Sequence, residues 1–296
     1  MSEAGNSNSI TRNYLDSLLI ETRYMNSTNP DTTYELFGEQ FSTPIMTAAL
    51  SHLDHFMFPG ASEVLAKGAR EADAVFWYGM GEEEEIERLA AATEARMIEI
   101  IKPFSDRSLI YKMIRHAEQL GLLAVGIDID HPFAEDGSPD EVDGFEMTAL
   151  RTEELKEICA STKLPVIAKG VLSLKDAESC LEAGAAGLVL SHHNNRIAYA
   201  VPPLAILPEI LKLAGGSAAV FAENEIKTGM DAFKALSLGA KGVCIGRPLM
   251  TAVKQDPEHG VRDYLQNATA QLRKAMAYTG CTDLTKMDPS VIRRIS

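Results

Sequence analysis

Eight short apolar runs, interleaved with longer segments of helical period, constrain this chain more than any other feature. The runs are PIMTAAL (44–50), AVFWYG (74–79), RMIEII (96–101), AVGIDI (124–129), PVIAKG (165–170), GLVLSH (187–192), AAVFAE (218–223) and GVCIGR (242–247). Between them lie amphipathic stretches such as SEVLAKGAREA, EEEIERLAAAT, SLIYKMIRHAEQLG, EELKEICAST and LKDAESCLEAG. Several of these end in the glycine that often follows a helix C-terminus. Runs that are apolar throughout fit strands covered on both faces, as in repeated βα units around a parallel sheet. Eight alternations with short connections predict an α/β fold, a single closed (β/α)8 TIM barrel over residues 14–296, preceded by a flexible arm over 1–13. No GxGxxG follows the first run, which argues against an open dinucleotide-binding sheet. The longest insertion, HPFAEDGSPDEVDGFEMTALRTE, follows the fourth run and predicts a mobile loop over the barrel mouth. A long helix is expected from about residue 256 onward.

The formal charge of −14 sets the class of partner. It repels nucleic acid and anionic membrane surfaces, so an anionic small ligand needs a local cationic pocket. No run reaches the roughly 18 apolar residues of a membrane span. The polar opening MSEAGNSNSITRN carries no apolar leader core, and the expected compartment is the cytoplasm. The four cysteines, Cys159, Cys180, Cys244 and Cys281, show no CxxC pairing and read as reduced thiols. The acidic run Glu82 to Glu85 reads as the solvated first turn of a helix, where the dipole favours negative charge.

In a TIM barrel the chemistry sits at the C-terminal ends of the strands. Polar residues of this chain concentrate there: Ser51, His52 and His55 after the first run, Glu99 on the third, Asp128, Asp130 and His131 on the fourth, and Lys169 on the fifth. The sixth ends in His192, His193, Asn194, Asn195 and Arg196, the seventh in Glu223, Asn224, Glu225 and Lys227, and the eighth in Gly246 and Arg247. A lysine inside an apolar strand is costly unless it meets an anion or a polar ligand, which marks Lys169. Adjacent histidines point to opposite faces of a strand, so at most one of His192 and His193 faces the axis.

PVIAKGV, GLVLSHHNNR, VFAENEIKTGMDAFKALSLGAKGVCIGRP and AMAYTGCTDL, with FSTPIMTAAL, resemble the FMN-dependent 2-hydroxy-acid oxidases and dehydrogenases. This is the group of glycolate oxidase, lactate oxidase and flavocytochrome b2. The resemblance runs from about residue 14 onward and is most specific between 165 and 250. It implies FMN as cofactor, a small-molecule substrate that is a carboxylate, and a homo-oligomer, a tetramer. By the same resemblance His193 is the base, Asp130 orients and charges it, and Arg196 reads the substrate carboxylate. Lys169 falls against the flavin N1 and O2 edge, where a cation stabilises charge on the reduced ring. Lys227 and Arg247, with Gly246 and Glu223 beside them, fall at the FMN phosphate. Ala48 and Ala49 fall beside the flavin ring.

The chain departs from this pattern at several positions. The family phosphate loop Asp-Gly-Gly-Val-Arg is Glu223-Asn224-Glu225-Ile226-Lys227 here, and the Gly-Gly after the catalytic histidine is Asn194-Asn195. Gln-Leu-Tyr of the third strand is matched to Glu99-Ile100-Ile101, which puts an acid at the flavin N3 edge, and the threonine of the fourth strand is Asp128. Two further readings stand beside the flavin oxidoreductase. One is a non-catalytic or regulatory ligand-binding barrel that has lost FMN chemistry. The other is a metal-dependent hydrolase or lyase using His52, His55, Asp128, Asp130, His131 and His193 as ligands.

Overall fold

In a computed structural model, which describes residues 4–295, all eight apolar runs form strands of one parallel sheet. They are β1 (Ile45–Thr47), β2 (Phe76–Tyr78), β3 (Met97–Ile101), β4 (Ala124–Asp128), β5 (Val166–Val171), β6 (Gly187–Leu190), β7 (Ala219–Ala222) and β8 (Gly242–Ile245). Each pairs with its neighbour in sequence from β2 to β8, and β8 pairs with β1. The remaining seam, β1 to β2, is closed by the Thr47 side chain together with a parallel bridge between Leu50 and Tyr78, where the Gly79 N–H donates to the Leu50 carbonyl (3.0 Å). The Thr47 hydroxyl accepts from the Trp77 N–H (2.8 Å) and donates to the Trp77 carbonyl (3.1 Å), while the Thr47 N–H reaches the Val75 carbonyl (3.3 Å). A (β/α)8 TIM barrel results, as the alternation of apolar runs predicts.

Side-chain alternation divides the apolar residues into two clusters. Met46, Trp77, Ile98, Ile100, Ile167, Val189 and Phe221 point inward and fill the barrel. The antiparallel hairpin of Tyr34–Leu36 and Glu39–Phe41 packs Tyr34, Leu36 and Phe41 into the same cluster and plugs its N-terminal end. The opposite strand faces, including Phe76, Tyr78, Val125, Leu188 and Val243, pack against the surrounding helices. Those helices are α1 (Ser7–Ser17), α2 (Ala61–Glu71), α3 (Glu83–Thr93), α4 (Arg107–Leu120), α5 (Thr152–Ala160), α6 (Leu174–Glu182), α7 (Pro203–Ala214), α8 (Gly229–Ser237), α9 (Arg247–Gln255) and α10 (Gly260–Thr279). Glu83, Glu84 and Glu85 occupy the first turn of α3.

The N-terminus departs from the expected flexible arm over 1–13. Residues 1–3 lie outside the described residues, and so does Ser296, but Ser7–Ser17 forms α1. The Asn6 side chain caps it by accepting from the Ser9 N–H (3.0 Å), and Ser7, Thr11 and Leu15 are buried. The reason is tertiary contact: a polar 11-residue helix is marginal alone and is held by the strand ends it meets. The C-terminal segment Ile292–Arg294 returns to pair antiparallel with Leu18–Ile20. Among the described residues, no helix is long and apolar enough to cross a membrane.

Candidate active site

At the C-terminal end of the barrel lies a cavity of about 350 Å³. Lys169 and His193 face it from β5 and the end of β6, and Ala48 and Ala49 wall it beyond β1. Lys227 and Arg247 stand at its rim.

The floor is a buried charge cluster. Asp128, the last residue of β4, accepts from Lys169 Nζ at Oδ1 (3.0 Å) and from Lys102 Nζ at Oδ2 (2.6 Å). Glu223 Oε1 lies 3.4 Å from Lys169 Nζ. Burial alone would raise the Asp128 pKa, but the two ammonium groups outweigh it and hold the carboxyl well below its ordinary range. Burial alone would likewise lower Lys169, yet Asp128, Glu223 and Asp130 overcome it and raise its pKa, so the lysine is a permanent cation.

Above this floor His193 meets Asp130. His193 Nδ1 lies 3.1 and 3.2 Å from the two Asp130 oxygens. A carboxylate on Nδ1 fixes the tautomer and leaves Nε2 free to take a proton. Asp130 fits there because residue 170 has no side chain. Gly170 sits at φ +95°, beside a register irregularity in β5, and a Cβ on it would overlap the Asp130 carboxyl. Gly170→Ala is expected to cost about 1–3 kcal/mol in backbone strain and to push Asp130 off His193. Thermal unfolding reads the first effect and a crystal structure of the variant the second.

His192 points the other way and is structurally satisfied. The Asn195 N–H donates to its Nδ1 (3.1 Å), and burial lowers its pKa, so the neutral ring carries its proton on Nε2 and donates to the Thr11 hydroxyl of α1 (3.0 Å). The same helix explains the unusual asparagines. Asn195 Oδ1 accepts from the Ser7 N–H (2.6 Å), and Asn194 Oδ1 accepts from Asn8 Nδ2 (3.0 Å). His193, Asn194 and Asn195 all sit at positive φ (47°, 58° and 70°), the region glycine enters freely. The chain keeps a glycine-type turn without glycine, and the hydrogen bonds to α1 offset its strain.

Two residues lie elsewhere than the sequence reading placed them, and a third was missed by it. Glu99 does not reach the cavity. Its register partners are Tyr78 and Val125, both in the helix-facing cluster, whereas Ile98 and Ile100 point inward. Glu99 is therefore buried behind the barrel wall; among the described residues its Oε2 has no hydrogen-bond partner, and burial pushes its pKa up to about 8. Lys102, unmarked in the sequence, occupies the inward position two residues beyond Ile100; extending the Ile98, Ile100 alternation by one step finds it. Arg196 turns away from the cavity toward the loop after β4. It donates to Asp140 Oδ2 (2.6 Å), to His131 Nε2 (3.0 Å) and to the Phe133 carbonyl.

That loop is folded onto the barrel: Glu141–Val142 pairs with Phe145–Glu146, and Phe133 bridges Pro139. Burial, then the nearby Lys102, His193 and Arg196, lowers the His131 pKa to about 4. The ring is neutral near pH 7. Arginine only donates, so His131 carries its proton on Nδ1, 2.8 Å from Asp140 Oδ2.

Asp128, Asp130 and His193 converge closely enough to hold a cation, their ligand atoms lying within 4.8 Å of one another. Lys102 and Lys169 already occupy both oxygens of Asp128 and repel a metal ion. His52 faces Asp143 instead, at 3.5 Å. The donor set is that of a site built around buried ammonium groups.

Residues 1–150 and 134–294 match the family described as FMN-dependent dehydrogenase. The chain belongs to the FMN-dependent dehydrogenase family. Among its relatives, glycolate oxidase 2 of Oryza sativa subsp. indica is 28% identical over 294 residues, covering 87% of this chain and 79% of that one. Glycolate oxidase of Spinacia oleracea is 27% identical over 319 residues, covering 95% and 86%. A mandelate oxidase variant solved with benzoyl-formic acid superposes at TM-score 0.88 with 26% identity, covering 99% of this chain and 91% of that one. Another mandelate oxidase variant, solved with a C4a-OH-FMN adduct, superposes at TM-score 0.86 with 26% identity, covering 99% of this chain and 92% of that one.

The residues of this FMN-dependent dehydrogenase fit a flavin. A buried cation, Lys169, faces the cavity beside the small residues Ala48 and Ala49. At the other end Lys227 and Arg247 stand near the first turn of α9, where backbone N–H groups and the dipole favour an anion. Glu225 lies between those two cations, 2.5 Å from Lys227 Nζ and ion-paired with Arg247.

Proposed function

We propose that this protein oxidises a small 2-hydroxy acid to the 2-oxo acid, with His193 as the base. The observation that carries the reading is the His193–Asp130 pair standing over a cavity floored by Lys169. Lys169, Ala48 and Ala49 would hold the ring of FMN, and Lys227, Gly246 and Arg247 its phosphate end. Bound FMN supplies the two-electron acceptor. His193 Nε2 takes a proton from the substrate, and Asp130 on Nδ1 stabilises the imidazolium that forms. Asp128 keeps Lys169 and Lys102 in place beneath, and Glu223 helps balance Lys169.

Arg196 is the residue proposed to read the substrate carboxylate, and Asp140 competes for it. A guanidinium fork already holding one carboxylate binds a second less well. Asp140→Ala is expected to lower KM for a 2-hydroxy acid by roughly tenfold, the worth of one charge-assisted hydrogen bond, while leaving a neutral 2-hydroxy amide unchanged. Steady-state kinetics with the acid and amide pair checks it.

Cytoplasmic location and a homo-oligomer, a tetramer by resemblance, belong to the same proposal. Free cysteines, three of them buried, suit a reducing compartment. Exposed Ile197, Tyr199 and Val201 lie close together in sequence beyond β6 and suit an interface. The pairing of Arg196 with Asp140 also favours a second reading, a binding barrel without redox turnover. Anaerobic mixing of the flavin-loaded protein with a panel of 2-hydroxy acids decides between them. Bleaching of the flavin by at least one acid supports the oxidase; a bound flavin that stays oxidised with every member supports the binding barrel.

A further inference from the structure

We propose that Glu225 is a built-in substitute for the cofactor phosphate, so that the cavity accepts a flavin without phosphate, riboflavin, about as well as it accepts FMN. The inference rests on the flavin reading above and goes further, to which flavin the site selects.

Glu225 is buried at 8% exposure, and its two oxygens are divided between Lys227 and Arg247. These are the two side-chain cations at that end of the cavity among the described residues lining it. A phosphate arriving there meets a pair whose charge is already half cancelled and a carboxylate that repels it. Neither cation is free to offer its full hydrogen-bonding capacity.

The carboxylate is held by its two ion pairs, and the backbone that carries it is fastened on either side. Asn224 Oδ1 accepts from the His192 N–H (2.7 Å), and the Glu225 carbonyl accepts from Arg12 of α1 (2.9 Å). Arg12 is itself anchored to Asp231 (2.8 Å), whose carboxylate caps α8 by accepting from the Lys227 and Thr228 N–H groups (3.1 Å each). Asn224 and Glu225 hold φ of 70° and 58°, so the loop preserves a shape that glycine would adopt without strain while placing an acid in it. A chain that maintains such a turn at a cost, and pins it from α1 and α8, gains a fixed internal anion. The ring end of the cavity, with Lys169, Ala48 and Ala49, is untouched by this change.

The test is a fluorescence-quenching titration of flavin-free protein with FMN and with riboflavin, for the wild type, Glu225→Gln and Glu225→Gly. Glutamine keeps the shape and removes the charge; glycine also relieves the positive φ. In the wild type the two dissociation constants are expected to lie within about tenfold of each other. Either variant is expected to tighten FMN by about tenfold or more, the scale of one charge-assisted contact, and to leave riboflavin unchanged. A wild-type preference for FMN beyond tenfold, or a preference that neither variant widens, overturns the proposal while leaving the flavin reading intact. If neither flavin binds any of the three proteins, the flavin reading falls and the proposal with it.

Discussion

His193→Ala is expected to slow flavin reduction by about 10²–10⁴, the usual contribution of a positioned general base, while the flavin stays bound. The two outcomes separate because His193 and Lys169, which is proposed to hold the flavin ring, lie on different strands. His193 stands at the end of β6 and touches Asp130, whereas Lys169 on β5 is held by Asp128 (3.0 Å) and Glu223 (3.4 Å). Rapid mixing under anaerobic conditions measures the rate, and the visible spectrum reports whether flavin is retained. Asp130→Asn supplies the companion result. It keeps a group near Nδ1 but removes the charge that steadies the imidazolium, so reduction slows at unchanged flavin binding. A His193→Ala protein that reduces its flavin at the wild-type rate would remove this histidine from the mechanism.

The second large effect concerns stability rather than turnover. Glu99, with its pKa pushed from an ordinary 4.5 to about 8 by burial, binds a proton in the folded state that the unfolded chain releases. Between about pH 4.5 and pH 8 the folded state therefore holds more protons, and stability falls as pH rises through that window. At 1.36 kcal/mol per unit the whole change amounts to roughly 5 kcal/mol. Glu99→Gln removes the titration and leaves a neutral side chain of the same length. The stability difference between the variant and the wild type is expected to be small near pH 5 and to grow in favour of the variant toward pH 9. Urea unfolding at a series of pH values checks it. A difference that stays flat across the series would mean that the Glu99 carboxyl is hydrated or paired when folded.

How far the sequence carried depended on the range of the forces involved. The eight strands were legible because a doubly covered strand must be apolar throughout, and that is a local pattern. Lys169 was legible for the same reason: an ammonium inside such a run has to meet an anion, and it meets Asp128. Glu99 was misplaced by a single residue. In a strand that slip exchanges the two faces, sending the expected flavin contact behind the wall and hiding Lys102, which is the residue that turns inward. The helix α1 was illegible because SNSITRNYLDS has little reason to be helical alone; its partners, His192, Asn194 and Asn195, lie far away in the chain.

The pairs that reshape the ligand ends of the site are also long-range. Asp140 meets Arg196 across the folded loop after β4, and Glu225 bridges Lys227 to the start of α9. Residue types at those positions showed a departure from the family pattern, but only the geometry shows internal carboxylates seated on the cations. The His193–Asp130 pair is in place, while Arg196 at one end and Lys227 and Arg247 at the other each carry an internal carboxylate. That combination separates this chain's expected ligand preferences from those of a site with unpaired cations.

The central claim is that the His193–Asp130 pair over Lys169 oxidises a 2-hydroxy acid. The most direct measurement counts the 2-oxo acid formed in a single anaerobic turnover of flavin-loaded protein, against the flavin reduced in the same sample. One oxo acid per flavin in the wild type, with neither formed on the same timescale in His193→Ala, is the predicted result. A wild-type protein that holds flavin and yields no oxo acid from any member of the hydroxy-acid panel would contradict it.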